Sequence, residues 1–268
     1  MKAEELKLVV KEKYGKIALE SSTENSCCSS SSCCGPGVDY TVFSENYDNK
    51  DGYNPEADMN LGCGIPTDFA QIKAGDHILD LGSGAGNDCF VARAIVGDTG
   101  SVTGIDMTEP MIAKARENCA KLKFTNVDFV PGDIEDMPFD DNKFDVVISN
   151  CVLNLVPDKT RAFNEVFRVL KPGGHFCVSD VVIKGVLSEK MQKDAEMYAG
   201  CVSGASEINE YLKVVENAGF LNLKLHKQKE IRLPDSLLSE YNDPDELNSY
   251  HAGETGIFSI TVSASKPR

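Results

Sequence analysis

The 268-residue chain has no tryptophan, only four histidines and little positive charge. Its 27 lysines and arginines stand against 42 acidic residues, a formal net charge of −15. The missing tryptophan carries no functional information. The acidic excess repels phosphate backbones, which disfavours a nucleic-acid substrate. His77, His175, His226 and His251 are scattered along the chain, so structural roles are expected for them rather than catalysis. No run approaches the roughly 18 apolar residues that a membrane span needs. The opening MKAEELKLVVKEKYGKIAL is charged and amphipathic, unlike a secretory leader. The expectation is a cytoplasmic protein without a membrane partner.

What the chain does have begins at His77-Ile78-Leu79-Asp80-Leu81, a short apolar run that ends beside Gly82, Gly84 and Gly86. The run reads as a buried central strand, and the glycines allow a tight turn through which a ligand approaches the backbone. A dinucleotide turn of the G-x-G-x-x-G/A type needs a small residue after Gly86, where this chain has Asn87. The spacing therefore favours S-adenosylmethionine over NAD. A second strand, Ser101 to Asp106, ends in an acid about twenty residues past the glycines, placed to pair with ribose hydroxyls. A third precedes Asp133 and Ile134, suited to an adenine amine and ring. A fourth, from Lys143, delivers Asn150 and Cys151 at its C-terminal end. In RVLKPGGHFCVSDVV, Pro172-Gly173-Gly174 reads as a helix stop before a fifth strand. Strands alternating with helical stretches imply a parallel sheet covered on both faces, with ligands at the C-terminal strand ends.

Residues 77 to 182 thus resemble a class I S-adenosylmethionine-dependent methyltransferase. That resemblance implies Gly82, Ser83 and Gly84 near the methionine part of the donor, Asp106 on the ribose and Met107 against the adenine. Asp133 and Ile134 then lie at the adenine edge, Asp80 braces the loop, and Asn150 joins the donor-binding set. It also implies a doubly wound, mostly parallel seven-stranded Rossmann-like α/β sheet with an antiparallel last strand and a small substrate-cap region. EINEYLKVVENAGF is patterned as a helix stopped by Gly219, and LNLKLHKQKEI and GIFSITVSASK alternate as the sixth and seventh strands. The chain divides into a helix and Cys/Ser-rich arm (1–40), a donor-binding domain (41–230) and a C-terminal connection with the last strand (231–268). Residues 231–255, acidic and proline-containing, show no assignable element.

Ten cysteines in a cytosolic protein require a chemical account, because structural disulfides are rare in reducing compartments. Cys89, Cys119 and Cys177 fall on helical or strand patterns and read as small buried hydrophobes. Cys63, between Gly62 and Gly64, Cys151, after the fourth strand, and Cys201, in a small-residue break, stand where a reaction could occur. Three thiolates beside a methyl donor suit a soft electrophile that keeps a lone pair, such as trivalent arsenic. Here the chain resembles the arsenite methyltransferases over nearly its whole length. VKEKYGKIA, the vicinal pairs Cys27-Cys28 and Cys33-Cys34, NLGCGIPT, SNCVLNLV and AGCVSGA carry the likeness.

The family resemblance implies Cys63, Cys151 and Cys201 as As(III) ligands. It also implies arsenite, taken as a thiol conjugate, as substrate, a thiol reductant such as thioredoxin or glutathione as partner, and arsenic detoxification as the role. SSTENSCCSSSSCCGPG is too polar to pack a core, so Cys27, Cys28, Cys33 and Cys34 are expected on a tether that captures arsenite or supplies electrons. The pairs lack C-x-x-C spacing and no histidine is near, which argues against zinc. Two other readings stay open. One is a methyltransferase acting on an organic molecule of the quinone-precursor type, and the other is a thiol-rich metalloid-binding protein without turnover.

Overall fold

A computed structural model describes residues 3–20, 45–193 and 204–268. Cys27, Cys28, Cys33, Cys34 and Cys201 lie outside the described residues. The first helix is α1 (Ala3–Glu20), and from residue 45 the description resumes with a loop and a 3-10 turn at Pro66–Asp68. Alternation then begins with β1 (His77–Leu81), α2 (Asn87–Val96), β2 (Ser101–Asp106), α3 (Glu109–Leu122), β3 (Val127–Pro131) and β4 (Phe144–Asn150). It continues through α4 (Lys159–Val169), β5 (Leu170–Lys184), α5 (Glu189–Lys193), α6 (Ile208–Asn217) and β6 (Leu221–Ile231). The chain ends with α7 (Asp235–Tyr241), α8 (Pro244–His251) and β7 (Gly256–Ser265).

One seven-stranded sheet has the order β3-β2-β1-β4-β5-β7-β6. The first five strands pair in parallel, and β7 enters antiparallel between β5 and β6. This is the expected doubly wound architecture with its antiparallel last strand. The strand order reverses between β1 and β4, which opens the crevice that holds ligands in such sheets. Central strands are buried on both faces, as a sheet between helices requires. One apolar layer joins Phe163, Phe176, Tyr211 and Phe220, and the opposite one joins Ile78, Phe90, Phe129 and Ile148. The edge strand β6 is mostly exposed.

Two local readings change. Pro172-Gly173-Gly174 does not stop a helix. Helix α4 ends at Val169, Leu170 is already extended and pairs with Phe144, and the glycines fall inside β5, where Gly173 takes φ +80°. Its N–H reaches the carbonyls of Lys266 and Pro267, so this glycine serves a strand irregularity near the chain's end. The connection at 231–255 contains α7 and α8. Asp243 caps α8 with its carboxylate on the N–H groups of Asp245 and Glu246, while Glu246 returns a bond to Asp243 N–H. This capping box offsets the weak propensity of a polar eight-residue helix. Three of the four histidines have structural partners: His77 meets Ser101 Oγ, His175 the Ala70 carbonyl and His226 Ser263 Oγ.

Candidate active site

A cavity opens over the C-terminal ends of β1, β2 and β4. Its lining includes Lys7, Asp80, Ser83, Gly84, Asp106, Met107, Asp133, Ile134, Asn150 and Cys151. The glycine turn makes its floor. Gly82, Gly84 and Gly86 all have positive φ, and Gly86 sits at the start of α2 in the left-handed region. A methyl group added at Gly82 would strike Val152, whereas one at Gly84 would enter open space. The turn is therefore packed on one side and presents bare backbone to the cavity on the other.

Acids fix this turn. Asp106, at the end of β2, accepts the Gly84 N–H at 3.0 Å through one oxygen and the Thr108 N–H at 2.8 Å through the other. Burial pushes its carboxyl up, against those two N–H groups, which hold it down. Asp80 is buried below the turn and accepts a bond from Cys89 Sγ at 3.2 Å. Its carboxyl lies well above the usual range because of burial and, next, the neighbouring Asp88. Asp88 is raised to about 6, mainly by burial. Asp88, together with Tyr47 and Asp58, also lines the cavity and escaped the sequence reading. Only the general pattern of a polar residue at a helix start could have pointed to Asp88.

Among the lining residues Lys7 is the one Lys or Arg facing five aspartates, Asp58, Asp80, Asp88, Asp106 and Asp133. Such a cavity favours a cationic ligand, whose arrival stabilises the ionised acids. Ser83 Oγ and Asn87 Oδ1 are buried without a hydrogen-bond partner among the described residues. Orphaned polar atoms of this kind fit a polar ligand beside the turn. Partly buried Met107 and buried Ile134 supply the apolar surfaces that an adenine ring requires. Asp133 already has a partner: Lys7 of α1 lies 2.6 Å away and also pairs with Glu135. Val10 and Tyr14 of the same helix line the cavity, so α1 forms part of its wall.

Cys151 stands at one border of the cavity, and Gly62, next to Cys63, lines it too. Cys63 and Cys151, 88 positions apart in the chain, join one buried apolar cluster with Leu155, Val181, Leu187 and Ala205. They are 1% and 4% exposed. The flanking glycines serve close packing. A Cβ on Gly62 would lie 2.5 Å from Asn150 Nδ2, and one on Gly64 would lie 2.6 Å from Ser179 Cβ. Both glycines let the Cys63 backbone close on its neighbours. Cys151 has φ +61°, the left-handed region, at a turn where its N–H reaches Ser179 O at 2.7 Å. Asn150, expected with the donor, borders the cavity and commits its amide to the Cys63–Gly64 backbone. Among the described residues no three His, Cys, Asp or Glu side chains cluster as a metal site.

The other described thiols are buried as expected. Cys89, Cys119 and Cys177 pack in the core, and burial pushes Cys177 up to about 12. No described helix is long and apolar enough to cross a membrane.

A methyltransferase-domain family model matches residues 72–219. The arsenite methyltransferase of Halobacterium salinarum is 37% identical over 98% of this chain and 67% of its own length. That of Aquipseudomonas alcaligenes is 35% identical, covering 85% of this chain and 65% of the relative. Among solved structures, the arsenic(III) S-adenosylmethionine methyltransferase of Chlamydomonas reinhardtii superposes with a TM-score of 0.64 at 35% identity. That match covers 77% of this chain and 68% of the other. The chain spans about two thirds of the length of these relatives. With the fold, the acid-lined cavity and these likenesses together, the chain belongs to the arsenite methyltransferase family of S-adenosylmethionine-dependent enzymes.

Proposed function

We propose that this protein methylates trivalent arsenic held by the thiolates of Cys63, Cys151 and Cys201. The observation that carries the reading is the meeting of Cys63 and Cys151 in one buried cluster, with Cys151 also bordering the donor cavity. Soft thiolates match arsenic, and three of them leave its lone pair unshared. Capture exchanges ligands without redox change: three S–H bonds give way to three S–As bonds, and each hydroxide of arsenite departs as water. Thiol deprotonation favours capture, so it strengthens toward the ordinary thiol pKa of about 8.5.

Bound S-adenosylmethionine would supply an electrophilic methyl on a sulfonium centre. Gly82, Ser83 and Gly84 would hold its methionine part, Asp106 its ribose, and Met107, Asp133 and Ile134 its adenine. Asp80 braces the turn beneath. Cys151, following Asn150 at the end of β4 and lining the cavity, would hold arsenic with its lone pair toward that methyl. Fixing two reactants in line is worth roughly 7 to 11 kcal/mol over a bimolecular encounter, and the transfer needs no general base. Methylation formally oxidises arsenic by two electrons, so a further round requires a dithiol that closes to a disulfide. Cys27-Cys28 or Cys33-Cys34 could return those electrons or deliver arsenite, with thioredoxin or glutathione as external reductant. Arsenic detoxification in the cytoplasm is the corresponding role, and 1–40, 41–230 and 231–268 the corresponding division of the chain.

The test measures S-adenosylhomocysteine release by purified enzyme with donor and thiol reductant, with and without arsenite, alongside mass spectrometry of arsenic species. Arsenite-dependent release with mono- or dimethylated products is expected. Donor binding without arsenite-dependent release would overturn the proposal and point to an organic acceptor or a binding protein.

A further inference from the structure

One side chain spans the two described thiol positions. Asn150 immediately precedes Cys151, and its Oδ1 accepts the N–H groups of Cys63 at 3.0 Å and Gly64 at 3.3 Å. Its Nδ2 donates to the Gly64 carbonyl at 2.9 Å. The amide is in turn held from the donor side: Nδ2 meets Asp88 Oδ2 at 3.0 Å and Tyr47 Oη at 2.9 Å, while the Tyr47 hydroxyl donates to Asp88 Oδ1 at 2.8 Å. From the opposite side the Ser259 hydroxyl of β7 donates to the Cys63 carbonyl. The Cys63 residue is thus gripped through both its N–H and its C=O. The glycines on either side let the loop close on Asn150 and Ser179, where a Cβ at either position would collide.

We propose that Asn150 is a positioning residue that sets the separation and orientation of the Cys63 and Cys151 thiols, with Ser259 as its counterpart across the Cys63 peptide. The proposal rests on the thiolate reading above. Arsenic–sulfur bond lengths and angles are covalent and narrow, so two thiols bind one arsenic tightly only when they already stand at the required span. A loosened loop must be ordered at the moment of binding, and that cost appears as lost affinity.

The experiment uses the full chain with Cys27, Cys28, Cys33, Cys34 and Cys201 all changed to serine, so that Cys63 and Cys151 form the pair under test. Phenylarsine oxide is the probe. As its dihydroxide it condenses with two thiols, breaking two S–H and two As–O bonds, forming two S–As bonds and releasing two waters. Methylmercury, which needs one thiol, is the control. Asn150→Ala and Ser259→Ala are each expected to weaken phenylarsine oxide binding by about ten-fold or more, the equivalent of one or two lost hydrogen bonds. Their methylmercury affinity is expected to stay within about two-fold of the parent, since a single thiol needs no preset partner. Ser259 lies outside the donor cavity, so its variant also retains S-adenosylhomocysteine affinity. Asn150 borders the donor cavity, so if Asn150→Ala loses that affinity, Ser259→Ala decides. Parent-like phenylarsine oxide binding in the variants overturns the positioning role alone. A parent that binds methylmercury but no phenylarsine oxide overturns the thiolate reading, and the positioning role with it.

Discussion

Lys7 on the first helix and Asp133 beside the third strand, 126 residues apart, form an ion pair 2.6 Å long at the edge of the donor cavity. The same ammonium meets Glu135, whose side chain is buried. Through this contact, and through Val10 and Tyr14, α1 becomes a wall of the site. Lys7→Met therefore removes the ion-pair partner of the buried Glu135 and is expected to release the helix. After screening at the half-exposed Asp133, the loss is about 1 kcal/mol. Donor affinity should fall about five-fold, measured by calorimetry, with faster proteolysis within α1.

Acid should produce the same release in the parent chain. Burial raises the Asp133 carboxyl, but Lys7 and the Glu135 N–H outweigh it and hold the group below its usual value. A carboxyl depressed in the folded state contributes stability above its unfolded pKa of about 3.9, and that stability is lost as pH falls through the lower folded value. Limited proteolysis with an acid-active protease should show α1 protected at pH 6 and increasingly cut as the pH is taken progressively below about 3.9. Equal protection throughout would contradict the ion pair's role.

The central acids act in the opposite sense. Asp180 is buried against the Tyr211 hydroxyl at 3.0 Å, and burial pushes it up to about 7 despite Lys159 and that hydroxyl. Asp88 is raised to about 6. Between the unfolded value of about 3.9 and these folded values, the native state holds protons that the unfolded chain does not, so stability falls as pH rises. The ligand-free protein should melt at a higher temperature at pH 5 than at pH 8, with about 2–4 °C for each kcal/mol. Asp180→Asn should flatten the upper part of that slope.

At Gly64 a single methyl group is too much. Its Cβ would lie 2.6 Å from Ser179 Cβ and 3.3 Å from Thr261 Oγ1. Gly64→Ala should cost about 1–3 kcal/mol as an overpacked site and lower arsenite-dependent turnover more than donor affinity. Adding Ser179→Gly should restore part of both, read from melting temperature and product release.

Cys151 occupies a left-handed backbone position that costs a non-glycine residue about 1–2 kcal/mol. Cys151→Gly relieves this strain while losing a buried thiol, so stability should change by less than about 1 kcal/mol. Arsenite-dependent methylation should nevertheless disappear. Retained turnover in this variant would remove Cys151 from the arsenic ligands.

The glycine turn, the acids that end β1 and β2 and the alternation of strands and helices were legible in the sequence because they are local: spacing along the chain sets which groups a strand end presents. The three buried thiols, Cys89, Cys119 and Cys177, were legible for the same reason, from periodicity alone. The helices at 235–251 were not, because α8 rests on a capping box within a polar stretch rather than on an apolar stripe. Nor did spacing disclose that Gly62 and Gly64 close a loop on Asn150 and Ser179, that Asp88 and Tyr47 brace it, or that Lys7 reaches Asp133. Each of these joins residues far apart in the chain, and only packing of the sheet against its loops brings them within hydrogen-bond reach. The sequence by itself determined the donor scaffold and the supply of thiols; the tertiary structure decided that Cys63 and Cys151 share one buried cluster, with Asn150 hydrogen-bonded to the Cys63 N–H.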